Sequence, residues 1–466
     1  MINLICELSQ YFIMLFMILY TVKCFSALSV TDEKKRKKKT NKQIGYVFVI
    51  HFFCYLVLYL RTEDVNILVF YLAQILVAVL YMLIFHGIYK ESSALLSNNT
   101  AFLLLVGYTM LTRLDFSLAV KQFVLATIGL VLTSFFPYIM TKTKNLRDHA
   151  VLFGVLGIVA LLSVFVPGLG QEIYGSRNWI HLGPLSLQPM EFVKILFVLF
   201  VAGTLAKANT LKDLMINAII SAIFMGVLVL EKDLGAAVIF YLTYVCMVYL
   251  ATSRPIFLIG GIALGVGAVL CGYMLFKDSL FSHVMVRVAA WQDPFANIDG
   301  SGYQVAQSLF AIGTGGYLGT GLMRGLPEVI PVAESDFIFS AICEELGVIF
   351  GLTLILVIVS IFISFVNVSM KCRDPFYKYV SFGFSVIYIV QSLLNLGGVT
   401  KFIPSTGVTL PLISYGVSSV LSTLVIFAVI QGIYVVTTRE AIKNEKDRER
   451  ARNFLEQANA AISAEE

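Results

Sequence analysis

Apolar runs of about 20 residues recur along the chain and are separated by short polar joints. A helix needs about 20 mostly apolar residues to cross the hydrocarbon core of a bilayer. The pattern therefore predicts about thirteen membrane-spanning helices. The predicted spans lie near residues 10–28, 44–60, 66–86, 97–113, 116–139, 150–167, 187–206, 214–230, 235–252, 256–276, 337–366, 378–397 and 411–437.

The composition indicates the same class of protein. Hydrophobic residues make up 58% of the 466 residues, charged residues make up 14%, and the mean hydropathy is +0.85. An ordinary soluble domain is about half apolar and about a quarter charged. The predicted fold class is therefore an all-α polytopic membrane protein. The net charge of +5 is small for this length and argues against a nucleic-acid partner.

Several motifs that would indicate other functions are absent from the sequence. It contains no Gly-x-x-x-x-Gly-Lys-Ser/Thr phosphate loop and no His-Glu-x-x-His pair, so a nucleotide-driven pump or a membrane metalloprotease has no support. The seven cysteines have no paired spacing and the five histidines are dispersed. Neither a disulfide framework nor a metal-binding cluster is predicted, and no cofactor is evident.

The distribution of lysine and arginine predicts the orientation in the membrane. These residues concentrate in alternate joints, at 34–42, 142–147, 371–373 and 439–452. Basic joints normally lie on the cytoplasmic side. With an odd number of spans, the N-terminus is predicted outside and the charged C-terminal tail inside. The first apolar run lacks a preceding basic segment and is predicted to be a retained anchor rather than a signal peptide.

One long polar stretch, residues 277–336, interrupts the apolar pattern between the spans near 256–276 and 337–366. It holds Trp291-Gln292-Asp293-Pro294-Phe295 and then Gly300-Ser301-Gly302-Tyr303-Gln304. The alternation of basic joints places this stretch outside the cell. A large extracellular loop is therefore the place where chemistry in water is expected.

Three external segments carry a resemblance to a known family. They run from Tyr174 to Glu191, from Trp291 to Asp336, and from Pro404 to Gly416. With Asp233-Leu234-Gly235 and the segment from Asp336 to Gly347, they resemble the FtsW, RodA and SpoVE (SEDS) family in order and spacing, over roughly residues 97 to 437. The sequence departs from the usual family pattern at Glu231-Lys232 and at Gly416-Val417.

The resemblance implies an organisation in three parts. Residues 1–96 are predicted to be an N-terminal extension with about three transmembrane helices and a basic cytoplasmic loop. Residues 97–437 correspond to a ten-helix glycosyltransferase core, and residues 438–466 form a charged cytoplasmic tail. Members of this family are bacterial peptidoglycan glycosyltransferases that polymerise lipid II beside a transpeptidase. Lipid II as substrate, a class B penicillin-binding protein as partner and the bacterial cytoplasmic membrane as location are therefore expected.

Asp293 is the candidate catalytic residue. Glycan extension needs a base for the attacking sugar hydroxyl, and a carboxylate at the outer membrane face suits this role. Pro294 restricts the backbone, while Trp291 and Phe295 can hold the loop at the interface and partly desolvate the acid. The alternative is an aspartate that caps a turn before proline. The resemblance, in which the matching aspartate is essential, favours the catalytic role.

Five residues are candidates for binding the substrate, and each has a structural alternative. Trp179 would stack on a sugar ring or anchor the chain at the interface, and Arg177 would bind pyrophosphate or a lipid headgroup. Glu191 and Lys194 lie three residues apart inside an apolar span, where they would contact the substrate or pair with each other. Gln304 would bind a sugar hydroxyl or lie in solvent.

No metal ligands are assigned. Glu334 and Asp336 would stabilise the start of the next helix, or would help to hold a divalent cation near the pyrophosphate. Two other functions also stay open at this point. Intramembrane charges and broken helices are typical of translocation paths, so a flippase for the lipid-linked precursor is one alternative. A non-catalytic scaffold that recruits a transpeptidase is the other.

Overall fold

The structure is a computed structural model, and it describes residues 2–30, 32–143, 146–173, 175–182, 185–276 and 282–465. The start of the predicted extracellular loop (277–281), Tyr174, Gly183 and Pro184 of the first external segment, Lys144 of a basic joint, and Glu466 at the end of the tail lie outside the described residues. The helices are α1 (Ile2–Leu28), α2 (Glu33–Thr62), α3 (Val65–Ile88), α4 (Ala94–Leu114), α5 (Phe116–Thr133), α6 (Phe136–Lys142), α7 (Ala150–Leu162), α8 (Pro189–Leu205), α9 (Leu211–Leu230), α10 (Leu234–Thr252), α11 (Pro255–Phe276), α12 (Ser282–Gln292), α13 (Tyr303–Gly315), α14 (Ile338–Leu346), α15 (Val348–Lys371), α16 (Pro375–Val399) and α17 (Val417–Glu465).

The helical membrane class is confirmed. Within the described ranges, 12 helices are long and apolar enough to cross a membrane. The remaining predicted span, near 187–206, corresponds to α8, which has 17 residues and is largely buried between α7, α10, α16 and α17. Seventeen residues extend about 25 Å, the lower limit for crossing a bilayer.

One predicted span is wrong in its first part. The apolar run near 337–366 forms two helices, α14 and α15, which are separated at Gly347. Gly347 has φ of +91°, a conformation that breaks a helix and that glycine adopts without strain. Hydropathy does not register this break, because all nine residues of α14 are buried and the apolar pattern continues through it.

A small antiparallel sheet was not predicted. Its strands are β1 (Gly170–Ile173), β2 (Ser176–Leu182) and β3 (Leu185–Leu187), with β2 in the centre. The register pairs Gln171 with Trp179 and His181 with Ser186. Strands this short carry too few residues for a period-two pattern to stand out in the sequence.

Aspartate side chains fix several helix starts. An N-cap carboxylate accepts backbone N–H groups that have no partner inside the helix. Such caps begin α2, α3, α5, α10 and α16, at Asp32, Asp64, Asp115, Asp233 and Asp374. These five polar joints of the sequence therefore act as helix boundaries.

The core of the bundle lies around α4, in which 94% of the most apolar stretch is buried. The helix contacts α2 and α3 on one side and α5, α15 and α17 on others. In contrast, no residue in the most apolar stretch of α11 is buried. Helix α11 packs on α10, where Tyr241 donates a hydrogen bond to the Gly261 carbonyl. Helix α4 is therefore enclosed by the bundle, whereas α11 lies at its periphery.

Candidate functional site

Strand β2 attaches the sheet to the start of α10. The Arg177 amide donates to the Glu231 carbonyl at 3.0 Å, and the Ser176 hydroxyl donates to the Lys232 carbonyl at 3.1 Å. Successive side chains of a strand point to opposite faces. Asn178 is buried against α10, so its neighbours Arg177 and Trp179 lie on the other face, where both are half-buried.

Asp233, the N-cap of α10, is the centre of a polar cluster. Its Oδ1 accepts from the Ala236 amide at 3.0 Å, and its Oδ2 accepts from Asn178 at 2.7 Å and from Gln188 at 3.2 Å. Burial raises the pKa of Asp233 above its usual range, although the hydrogen bonds from Ala236 and Asn178 oppose the shift. Burial is the larger cause and the charge of Asp233 the smaller cause that together raise the pKa of nearby Glu231 to about 9.

Arg287 brings a positive charge to this cluster. It lies on α12, is half-buried, and donates a long hydrogen bond of 3.4 Å to the Ser405 carbonyl. A Cβ atom on Gly407 would lie 3.5 Å from both of its terminal nitrogens and 3.7 Å from Asp336 Oδ2. The guanidinium and the Asp336 carboxylate therefore lie on the same side of the segment 404–408, and Gly407, at φ of +72°, leaves room for both.

Sequence reasoning missed the roles of Arg287 and Asn178. In the sequence, Arg287 counts only as one of the few basic residues of the long polar stretch. Its position six residues before Asp293 was the available signal, because Arg287 lies on α12 and Asp293 follows directly after this helix. Asn178 lies 55 residues from Asp233, and nothing local in the sequence indicates that contact.

Burial raises the pKa of Asp336 from 3.8 to about 6, and the charge of Arg287 limits the rise. Folding therefore takes up a proton at this group between about pH 3.8 and about pH 6. The stability that depends on the protonated form is lost as the pH rises through this window. We expect the melting temperature of Asp336→Asn to fall less than that of the wild type across this window, measured by thermal unfolding in detergent. Identical pH profiles for the two proteins would contradict this assignment.

Asp293 lies directly after α12 and is exposed. Its Oδ1 accepts from the amides of Phe295 and Ala296 at 3.0 and 3.1 Å. Oδ2 accepts no hydrogen bond from the described residues. The capping alternative is therefore present in the structure, yet one carboxylate oxygen is left available to a substrate.

The turn that carries Asp293 is held from several sides. Trp291 donates from its indole nitrogen to the Lys401 carbonyl at 3.1 Å, and Pro294 is buried. The rings of Phe295 and Phe310 lie 5.7 Å apart. Gly302 packs against the Pro294 carbonyl with no room for a Cβ atom. These contacts fix the position of an exposed acid, which is what a catalytic base requires.

Glu191 and Lys194 form an ion pair within the first turns of α8. Both are almost fully buried, at 2% and 1% exposure. Lys194 also donates to Gln391 of α16 at 2.8 Å, and Ser422 of α17 donates to Glu191 at 2.8 Å. The pair therefore ties three helices together, and neither side chain reaches the surface in this structure.

The remaining predicted residues surround this arrangement without joining it. Arg177 and Trp179 face away from the Asp233 cluster. Gln304 is exposed in the first turn of α13, just beyond the turn that carries Asp293. The Glu334 carbonyl accepts from the Tyr415 amide at 2.7 Å. Across the described residues, no group of three His, Cys, Asp or Glu side chains could hold a metal ion, and a divalent cation beside Asp336 stays a prediction.

The structure is a helical bundle, and charged residues gather at one end of it beside a small sheet and irregular segments. This arrangement defines a polytopic membrane protein with an extramembrane polar site. The family of cell cycle proteins FtsW, RodA and SpoVE matches residues 100–439. The chain belongs to this family.

Relatives and solved structures agree with this assignment. The chain is 37% identical over 322 residues to peptidoglycan glycosyltransferase RodA of Mycobacterium tuberculosis, covering 64% of this chain and 67% of the relative. It is 31% identical over 329 residues to the probable peptidoglycan glycosyltransferase FtsW of Bacillus subtilis, covering 68% of this chain and 80% of the relative.

Two solved structures share the fold. The rod shape determining protein RodA of Thermus thermophilus superposes with a TM-score of 0.55 at 24% identity, over 74% of this chain and 96% of that one. A chain from a study of polymerization and crosslinking by a peptidoglycan synthase complex gives a TM-score of 0.63 at 23% identity, over 74% of this chain and 98% of that one. At this level of identity the likeness concerns the fold alone.

Proposed function

We propose that this protein is a peptidoglycan glycosyltransferase that polymerises lipid II into glycan strands at the outer face of the bacterial cytoplasmic membrane, in elongation, division or sporulation. The family match and the names of the relatives support the reaction class. The observation that carries the proposal is helix α12, which holds the half-buried guanidinium of Arg287 at its middle and is followed directly by the exposed, fixed carboxylate of Asp293, six residues or about 9 Å further along the helix axis.

The two groups suit the two halves of a glycosyl transfer. Asp293 takes the proton from the attacking sugar hydroxyl as that oxygen forms a bond to the anomeric carbon of the other substrate. The bond from the anomeric carbon to the phosphate oxygen breaks, and the lipid pyrophosphate leaves with the electron pair. Arg287 stabilises the negative charge that develops on this leaving group.

The other candidates take supporting roles in this proposal. Trp179 and Arg177, on the half-buried face of β2, offer a ring and a cation to the sugar and the pyrophosphate. Gln304 offers hydrogen bonds to sugar hydroxyls beside the Asp293 turn. The Glu191–Lys194 pair joins α8 to α16 and α17 and so holds these helices in place.

We also propose a transpeptidase partner of the class B penicillin-binding type, with the N-terminus of the chain outside the membrane and the C-terminal tail in the cytoplasm. A solved structure of similar fold comes from a peptidoglycan synthase complex, which supports a partner of this kind. The alternating basic joints of the sequence support the orientation.

A flippase is the second candidate, because the buried Glu191–Lys194 pair lies inside a membrane span, where charges often mark translocation paths. Purified protein in liposomes with fluorescent lipid II separates the possibilities. We expect strands that a muramidase digests. Lipid II that crosses the bilayer and stays monomeric would overturn the proposal in favour of a flippase. If lipid II neither crosses the bilayer nor polymerises, with or without the transpeptidase, the non-catalytic scaffold is the remaining function.

A further inference from the structure

Two side chains of α1 contact a loop of the core that lies more than 300 residues later in the sequence. We call this loop, residues 316–326, the glycine loop. Gln10 donates from its amide nitrogen to the carbonyls of Leu318 and Gly319 at 2.6 and 2.7 Å. Glu7, one turn earlier on α1, pairs with Arg324 at 3.2 Å. The outer end of α1 therefore holds the glycine loop at two points.

The glycine loop in turn is joined to the end of α14. The amides of Thr320 and Gly321 donate to the carbonyls of Glu344 and Glu345 at 2.8 and 2.9 Å. At Gly319 the backbones approach so closely that a Cβ atom would collide with the end of α14. The loop and the helix end must therefore move together.

The side chains of the same two glutamates complete this attachment. Glu345 accepts from Arg113 of α4 at 2.8 Å and from the Gly325 amide at 3.3 Å. Glu344 accepts from the Leu326 amide at 2.9 Å. Helix α14 has nine residues, so its two ends lie about 13 Å apart. Asp336 lies just before the other end of α14. Its carboxylate lies near Gly407, as does the guanidinium of Arg287.

Helix α1 is itself fixed to the core by buried polar contacts deeper in the bundle. Tyr20 donates to Asn99 of α4 at 2.6 Å, and Asn98 donates to the Thr40 carbonyl of α2 at 2.9 Å. Unpaired polar groups are costly in a membrane interior, so these bonds fix how α1 and α2 sit on α4. The positions of Glu7 and Gln10 relative to the glycine loop follow from this docking.

We propose that the outer end of α1 is a positioning element for glycosyl transfer. Gln10 and Glu7 hold the glycine loop, the loop holds α14, and α14 sets the place of Asp336 beside Arg287. This inference rests on the proposed function and extends it to a segment that precedes the family match at residues 100–439. Gln10 and Glu7 are positioning residues, because they touch neither Asp293 nor Arg287.

The double variant Glu7→Ala/Gln10→Ala tests the proposal in the full-length protein with lipid II. A small misplacement of catalytic groups lowers turnover more than binding, so we expect kcat to fall about tenfold with KM within about twofold of the wild type. Hydrogen–deuterium exchange in peptides covering the glycine loop should become faster. Asn3→Ala is the matched control, since Asn3 is an exposed residue one turn before Glu7 on the same helix, and it should change neither quantity.

A charge exchange provides a second variant. Glu7→Arg should lower kcat, and Arg324→Glu in the same protein should restore it by rebuilding the ion pair in reverse. Faster exchange with unchanged kcat would overturn the positioning role, and unchanged exchange would overturn the contact itself. An inactive wild type would instead contradict the proposed function, while the exchange comparison would still test whether α1 holds the glycine loop.

Discussion

Asp293→Asn is expected to slow lipid II polymerisation by about 100-fold to 10,000-fold, the range that a general base contributes. Asparagine keeps the oxygen that accepts from the amides of Phe295 and Ala296, so the turn after α12 stays capped. It loses only the negative charge and the basicity. The initial rate of glycan formation by purified protein measures the effect, and the melting temperature shows that folding is unchanged.

Asp299→Asn is the matched control, because Asp299 is another exposed acid of the same loop. We expect it to keep at least about half of the wild-type rate, since surface substitutions away from special features have small effects. If both variants lose activity equally, general loop charge rather than a base at Asp293 is responsible.

Lys194→Met is expected to destabilise the protein by about 3–5 kcal/mol, because it leaves the carboxylate of Glu191 buried without its cation. Among the residues that the structure describes, only the hydroxyl of Ser422 would still donate to that carboxylate. Gln391 would also lose its partner on α8. Thermal unfolding in detergent, followed by the fraction of monodisperse protein, measures the loss.

Adding Glu191→Gln to Lys194→Met should recover much of that stability, because a neutral amide replaces the unpaired charge. The comparison separates the ion pair from the packing of two long side chains, since the packing change at residue 194 is the same in both proteins. A Lys194→Met variant as stable as the wild type would contradict this account of the buried ion pair.

The sequence could predict the spans but not all of their ends. Membrane spans depend on local apolar content, which hydropathy measures directly. The division of 337–366 into α14 and α15 depends instead on the backbone of the single residue Gly347, which packs against the glycine loop. The sheet escaped prediction because its strands are too short for a period-two pattern to stand out, and its hydrogen bonds to Glu231 and Lys232 join it to a distant part of the sequence.

The candidate site could be predicted only where its parts are close in sequence. The turn capped by Asp293 and the ion pair of Glu191 with Lys194 each join residues that are close in sequence. Both were among the alternatives that the sequence offered, and both are present in the structure. The contact of Asn178 with Asp233 and the meeting of Arg287 with Asp336 join distant segments. Such contacts depend on tertiary packing, so a single sequence does not reveal them.

The extension before residue 97 illustrates the same limit. Its apolar runs predict helices but give them no role. The hydrogen bonds from Gln10 to the glycine loop span 308 and 309 residues of sequence. Only the folded bundle shows that this extension reaches the loop between α13 and α14.

The role of Asp293 as the base is tested most directly by chemical rescue. Asp293→Ala removes the carboxylate and opens space where a small carboxylate such as formate can bind and accept the proton in its place. If Asp293 is the base, Asp293→Ala should form almost no glycan in buffer, and added formate should restore measurable polymerisation while leaving the wild type unchanged. Polymerisation by Asp293→Ala at the wild-type rate in buffer alone would contradict the assignment.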